Sequence, residues 1–229
     1  LGDVYKRQGY FAKRAGLPVG KLLCASNSNN VLTDFLRTGI YDRNRPFHTT
    51  MSPSMDILVS SNLERLVYEL YGRDDEKVRE VYDSLKKTGR FEIDFDEVNV
   101  DKFVAGWADE EDTKNAIATF FDLDDYIMDT HTAVAASVYN DYSCETDDET
   151  PTVIVSTANP YKFPVDVLGA LGSREKNPYK AIIKLYNLTA LECPDCILEL
   201  EEAKEIHTDV VDRKDVKNVV LDVAKQMTK

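Results

Sequence analysis

Cysteine, proline, histidine and tryptophan are all sparse in this 229-residue sequence: four, eight, three and one respectively. Cys24, Cys144, Cys193 and Cys196 are too few and too scattered to staple a chain of this length, so reduced thiols are expected. Cys193-Pro-Asp-Cys196 has the spacing of a redox pair or of half a zinc site. A zinc site needs four ligands, however, and neither a second C-x-x-C nor an H-x-x-x-H accompanies the pair; His207 stands alone. Nor does the pair open a helix in a thioredoxin-like βαβ unit, and it reads as a loop. Long apolar runs are missing too. Nothing approaches the roughly 18 residues of a membrane span, so no membrane partner is expected. The first residues, LGDVYKRQ, lack the apolar core of a secretory signal, and the expected setting is cytoplasmic. Positive charge is the last shortage: 28 Lys and Arg stand against 41 Asp and Glu, a net charge of −13. That argues against a nucleic-acid partner, which needs clustered cations to neutralise phosphates. The acidic clusters at 109–112, 122–125 and 145–149 lack the Asp-x-Asp-x-Asp-Gly spacing of a calcium loop, and no metal is assigned to them.

What is present is apolar content for a sizeable core, 43% hydrophobic with 10% aromatic. Tyr10 to Ala15 reads as a helix stopped at Gly16-Leu-Pro18, and Lys21 to Ala25 as a short apolar strand. Ser26-Asn-Ser-Asn-Asn30 then offers caps for an amphipathic helix from Val31 to Arg37, closed by Gly39. A polar segment, Tyr41 to Pro46, leads through His48-Thr-Thr-Met-Ser-Pro-Ser-Met55 to a helix over Asn62 to Tyr71. Residues 74–121 are charge-rich, with helices at Glu76 to Lys87 and Asp109 to Phe121 around a short Phe91-Glu-Ile93 strand. They read as a peripheral, mostly helical subdomain. Asp129-Thr-His-Thr opens a helix running to about Tyr142, with Thr130 or Thr132 as candidate cap. Beyond Phe163 the chain reads as helical to its end, apart from the Cys193 loop. Strands alternating with helices imply an α/β fold with a largely parallel sheet.

The stretch Val153-Ile-Val-Ser-Thr-Ala-Asn-Pro160 carries the chemical question. A β-branched run reads as a buried strand, Pro160 stops it, and Ser156 and Thr157 are left at its carboxyl end. In open α/β sheets ligands bind beyond that end, which suits a small-molecule contact. Equally, the two hydroxyls suit capping of the helix that follows.

Four segments, GYFAKRAGLPVGKLLCASNSNNVLTDFLRTGIYD, TMSPSMDILVSSNLERLVYEL, DTHTAV and STANPYKFP, together resemble in order the C-terminal half of threonine synthase. The resemblance covers most of residues 9–172. It implies part of a fold-type-II pyridoxal-phosphate enzyme, that is, an incomplete doubly wound sheet. The family's reaction takes O-phosphohomoserine and water to threonine and phosphate. On this reading residues 1–8 are a leader foreign to the fold, 9–73 belong to the cofactor domain, 74–121 form the helical subdomain, and 122–229 supply the rest of the cofactor domain and the C-terminal helices.

By the same resemblance the hydroxyl of Thr157, beside Ser156, contacts the pyridine nitrogen of pyridoxal phosphate. Asn159 stands where many relatives have histidine, and it cannot titrate near neutral pH. Asp129 and His131 fall in the family's D-P-H-T-A segment, where Thr130 replaces proline; His131 is either a cleft residue or a helix-start residue bonded to a neighbouring backbone group. Ser26, Asn27, Asn29 and Asn30 match an A-S-N-x-N segment and serve either a bound anion or the helix cap. Ser52 and Ser54 of M-S-P-S-M line the cleft or form a turn. Lys162 lies beyond the pyridine contact and is not the Schiff-base lysine. The family's lysine and phosphate-binding loop precede the matched region, so no residue of this chain is assigned as catalytic. Two competitors remain, another fold-type-II lyase and a non-catalytic relative; S-T-A-x-P-x-K-F and M-S-P-S-M favour threonine synthase over the first.

Overall fold

The computed structural model describes residues 2–98 and 103–227, which fall into two compact units, Leu1–Cys193 and Pro194–Lys229. In chain order the first contains α1 (Gly2–Arg14), β1 (Leu22–Ser26), α2 (Val31–Thr38), β2 (Ile40–Asp42), α3 (Leu63–Leu70), α4 (Asp75–Thr88), β3 (Arg90–Glu92), β4 (Phe103–Trp107), α5 (Glu110–Asp124), α6 (Thr130–Thr146), α7 (Pro164–Ala170) and α8 (Pro178–Thr189). The second contains α9 (Asp195–Leu198) and α10 (Val216–Met227), whose residues are all at least partly exposed. Residues 203–215 between them hold no helix, so the expected helical run to the C-terminus is interrupted. No helix among the described residues is long and apolar enough to cross a membrane.

Two small sheets organise the first unit. β1 lies parallel to β4, with Ser26 opposite Trp107 at their carboxyl ends, and β2 lies antiparallel to β3. Around the second sheet α2, α3 and α4 close a core in which Tyr41 stacks on Phe91 at 5.0 Å and Phe35 meets Phe91 edge-on at 5.5 Å. Its helices end where the sequence says. Asp74 accepts hydrogen bonds from the Glu76 and Lys77 amides, both 3.1 Å, to start α4, and Gly89 ends it at φ 77°. Gly39 closes α2 at φ 76°, where a Cβ would sit 2.2 Å from the Ile93 carbonyl oxygen, so only glycine fits that turn. Against the parallel pair α6 packs Val134 and Val138 on Ala25 and Ala108. Gly106 allows the approach, since a Cβ there would meet Val138 Cγ1 at 2.6 Å.

One group in this core lacks a partner. The Tyr82 hydroxyl oxygen is buried beside Phe91 without a hydrogen bond among the described residues, and burial first, then the Glu64 charge, raises its pKa. Deleting an unsatisfied hydroxyl removes a desolvation cost of about 1–3 kcal/mol. Tyr82→Phe is therefore expected to stabilise the chain by about 1 kcal/mol in urea unfolding; a loss of stability would mean that the hydroxyl is satisfied in solution.

Several expectations require correction. Residues 153–155 form no strand: Val153 is 87% exposed, and no described segment offers them a ladder. β-branching favours extended backbone, but a strand exists only through its neighbour. The interval 74–121 is not a peripheral unit, because it supplies β3 to one sheet and β4 to the other. β4 carries little local signal, because Phe-Val-Ala-Gly-Trp is five residues long with a glycine inside it, embedded among charged helices. β2 was hidden likewise in the segment read as polar from Tyr41. The first helix spans Gly2–Arg14, longer at its start than the Tyr10 to Ala15 expected.

Candidate functional site

The carboxyl end of β1, the 48–56 loop and the start of α6 are joined by side-chain hydrogen bonds, and most of the residues singled out in the sequence lie along them. Ser26 is buried at the end of β1, its carbonyl accepting from the Ala108 amide at 3.0 Å. Asn27 follows, also buried. Its Nδ2 lies 2.8 Å from Thr50 Oγ1, 3.0 Å from Ser52 Oγ and 2.8 Å from Asp56 Oδ1. Asn29 donates to the His48 carbonyl at 2.8 Å and to Asp56 at 3.1 Å. Asp56 also accepts from the Thr50 amide at 2.9 Å and the Thr50 hydroxyl at 2.7 Å, so one carboxylate gathers both asparagines and the loop. Glu110, in the first turn of α5, receives the Met51 amide at 3.2 Å. Thr50, Asp56 and Glu110 were not singled out in the sequence. The available signal was Asp56 directly after Met-Ser-Pro-Ser-Met, a carboxylate positioned to collect amides from a tight turn.

The start of α6 is the second anchor. Asp129, fully buried, is the helix cap in place of Thr130 or Thr132, accepting from the His131 amide at 2.9 Å and the Thr132 amide at 3.4 Å. The Thr132 hydroxyl donates to its other oxygen. His131 Nε2 accepts from the Ser54 amide at 3.1 Å, which leaves Nδ1 to carry the proton toward Asp129 Oδ1 at 3.0 Å. The imidazole also packs on Phe163, ring centroids 4.7 Å apart. His131 is thus a buried connector with both nitrogens engaged, and its partners include the backbone group expected of a helix-start histidine.

The STANPYKFP segment hangs from the same helix start. Thr157 donates its amide to Thr132 Oγ1 at 3.3 Å, while its half-buried hydroxyl has no hydrogen bond among the described residues. Ser156 beside it is exposed, as is Ser54. Thr157 therefore connects through Thr132 and Asp129 to His131 and Ser54, though not at the end of a strand as expected. Ser52 and Ser54 part company: Ser52 is buried within the loop network, and the Ser54 side chain faces outward. Asn159 accepts from the Tyr161 amide at 2.9 Å and starts the turn Pro160–Lys162. Lys162 is exposed, its Nζ 5.8 Å from the centroid of the Phe163 ring. Asn30 makes no cap bond to α2; its side-chain oxygen takes a hydrogen bond from Arg45 at 2.9 Å. No cluster of three or more His, Cys, Asp or Glu suited to a metal exists among the described residues. A separate hollow of about 560 Å³ between α1, α3 and α4, lined by Phe11, Glu64 and Arg79 among others, includes none of these groups.

Burial raises the carboxyl pKa of Asp129, but the hydrogen bonds from the His131 and Thr132 side chains and the His131 amide outweigh it and hold the group below its ordinary value. With the folded value below the unfolded one, the unfolded chain binds more protons between them. The stability from this group is complete above the unfolded value and drains as pH falls through the folded one. Melting temperatures are expected to fall below about pH 4. The fall should be shallower in Asp129→Asn; equal acid slopes in the two proteins would remove Asp129 as a cause.

The family described as "Threonine synthase, C-terminal" matches residues 132–220. Human Threonine synthase-like 1 is 40% identical over 172 residues, covering 73% of this chain and 22% of that protein. A crystal structure of yeast threonine synthase superposes with a TM-score of 0.76 at 31% identity, covering 95% of this chain and 45% of that one. A structure of PLP-bound threonine synthase from Brucella melitensis gives 0.71 at 34% identity, covering 87% and 39%. The chain thus spans less than half the length of each of these relatives, and the fold is that of fold-type-II enzymes.

Proposed function

This chain belongs to the threonine synthase family by its C-terminal region, and from that premise we propose that it serves a pyridoxal-phosphate-dependent threonine synthase acting on O-phospho-L-homoserine and water to give L-threonine and phosphate. The observation that carries the proposal is the convergence of three motif segments: Asp129-Thr-His-Thr receives the Ser54 amide of M-S-P-S-M through His131 and the Thr157 amide of S-T-A-N-P through Thr132. Two hydroxyls, of Ser54 and Thr157, are left without internal partners among the described residues, which suits a polar small molecule.

The Thr157 hydroxyl fits the pyridine nitrogen of pyridoxal phosphate in chemistry and exposure. When bound, the cofactor supplies the electron sink for carbanion chemistry on the amino-acid substrate. Thr157 would hold the ring nitrogen with a neutral hydroxyl, which would orient the ring without forcing a proton onto it. The bond from the Thr157 amide to Thr132 Oγ1 fixes where Thr157 stands, and His131 and Asp56 hold the 48–56 loop. The covalent lysine and the cofactor's phosphate loop belong to the part of the family preceding the matched region, so the 229-residue chain alone is expected to show no turnover. Purified full-length protein, supplied with pyridoxal phosphate and O-phosphohomoserine, should release phosphate and threonine in equal amounts. Failure to do so would refute the assignment, as turnover by the 229 residues alone would refute the division of labour.

A second reading has its own support. Identity to human Threonine synthase-like 1, 40%, exceeds the 34% and 31% to the two solved threonine synthases, and Thr130 and Asn159 depart from the family pattern. A relative that binds the cofactor or a phosphorylated amino acid without turnover would bind pyridoxal phosphate in the same assay and release no phosphate.

A further inference from the structure

We infer that Asp129 is the positioning hub of the ligand site, one buried carboxylate that sets the spacing of two ligand-facing hydroxyls by two separate arms. The inference rests on the functional reading for the identity of the ligand, and on geometry alone for the hub. The first arm runs from Asp129 Oδ1 to His131 Nδ1 at 3.0 Å and from His131 Nε2 to the Ser54 amide at 3.1 Å. The second runs from Asp129 Oδ2 to the Thr132 hydroxyl, whose oxygen then accepts the Thr157 amide at 3.3 Å. Each arm ends on a backbone N–H whose own residue carries an outward hydroxyl. The distance between those hydroxyls is therefore set by α6's first turn, a rigid element, rather than by the two loops that bear them.

The loop has no other freedom to give. The Thr50 amide is held by Asp56, the Met51 amide by Glu110, the Ser52 amide by Thr50 Oγ1 at 3.1 Å and the Ser54 amide by His131. With these four N–H groups turned inward, M-S-P-S-M offers a ligand side-chain hydroxyl rather than a backbone anion cradle. Ser54 is then the contact residue and Ser52 a support, a distinction that sequence spacing alone does not make. Both arms share one carboxylate with two oxygens, so each can be cut without cutting the other.

The test is amide hydrogen exchange on full-length protein without cofactor, paired with absorbance titration by pyridoxal phosphate. His131→Phe, which keeps the packing on Phe163, should speed exchange in the 50–58 segment about five- to tenfold and leave 153–160 unchanged. Thr132→Val should do the reverse. Asp129→Asn should loosen both, and His131→Gln, which retains an acceptor near the Ser54 amide, should restore the 50–58 segment. In the titration each single-arm variant should weaken apparent cofactor affinity by a similar factor, with His131→Gln recovering most of it. Exchange rising equally in both segments for every variant, or in neither, would overturn the hub. If the wild-type protein takes up no pyridoxal phosphate while the exchange pattern holds, the functional reading fails and the hub stands.

Discussion

Asp129→Ala is expected to cost about 3–5 kcal/mol of folding stability, a large share of the roughly 5–15 kcal/mol that a domain of this kind possesses. The side chain is fully buried and receives the His131 amide, the Thr132 amide, the His131 ring N–H and the Thr132 hydroxyl. Loss of the cap alone costs about 1 kcal/mol. The greater part comes from buried donors left unpaired, each worth about 1–3 kcal/mol, with partial relaxation keeping the sum below the simple total. Asp129→Asn retains one acceptor oxygen and should lose clearly less. Urea unfolding followed by circular dichroism measures both, and a loss under 1 kcal/mol for the alanine variant would mean that the helix start is held by something else.

Thr157→Val in the full-length protein carries the second large effect, on turnover rather than stability. The hydroxyl makes no internal hydrogen bond among the described residues, so its removal leaves no buried partner stranded and should leave the melting temperature within a degree or two of the parent. Cofactor retention should weaken about fivefold, the equivalent of one neutral hydrogen bond of about 1 kcal/mol. Turnover of O-phosphohomoserine should fall about a hundredfold, because a ring displaced by ~1 Å misaligns every reacting atom on it. Thr157→Ser, which restores the hydroxyl, should recover most of the rate. Unchanged turnover in Thr157→Val would remove the residue from the site.

The parts of this fold that local chemistry determines were legible before the structure. Gly39 ends α2 because it takes a positive φ there, and α4 and α5 form where helices were expected; the reciprocal cap of Asp109 with Asp112 is seen only in the structure. The strands were a different matter. β1 and β3 carry enough local signal to be read, but β2 and β4, three and five residues long, are each defined by a partner distant in sequence, as with Leu22 opposite Phe103. Periodicity carries no information about such pairing. The run at 153–155 shows the converse error, since its β-branched residues have every local quality of a strand and no neighbour to bond.

The site divides along the same line. Motif resemblance pointed to Asp129, His131 and Thr157, and burial decides which of the surrounding atoms are open to a ligand. Ser52 and Ser54 are identical residues two apart in one motif; the first is 1% exposed inside a polar network, while the second joins it by its amide alone and is exposed. Acidic residues are abundant in this chain, and their hydrogen-bond partners are what distinguish Asp56 and Glu110 from solvated charges. The sequence leaves His131 either a cleft residue or a helix-start residue bonded to a backbone group; the Ser54 amide on one nitrogen and Asp129 on the other make it a connector.

The most direct measurement is a crystal structure of the full-length protein with pyridoxal phosphate bound. It should place Thr157 Oγ1 about 2.8 Å from the pyridine nitrogen, with Ser54 opening on the same cavity and Asp129, His131 and Thr132 bonded as they are here. A cofactor seated away from Thr157, or a carboxylate at its ring nitrogen, would contradict the account.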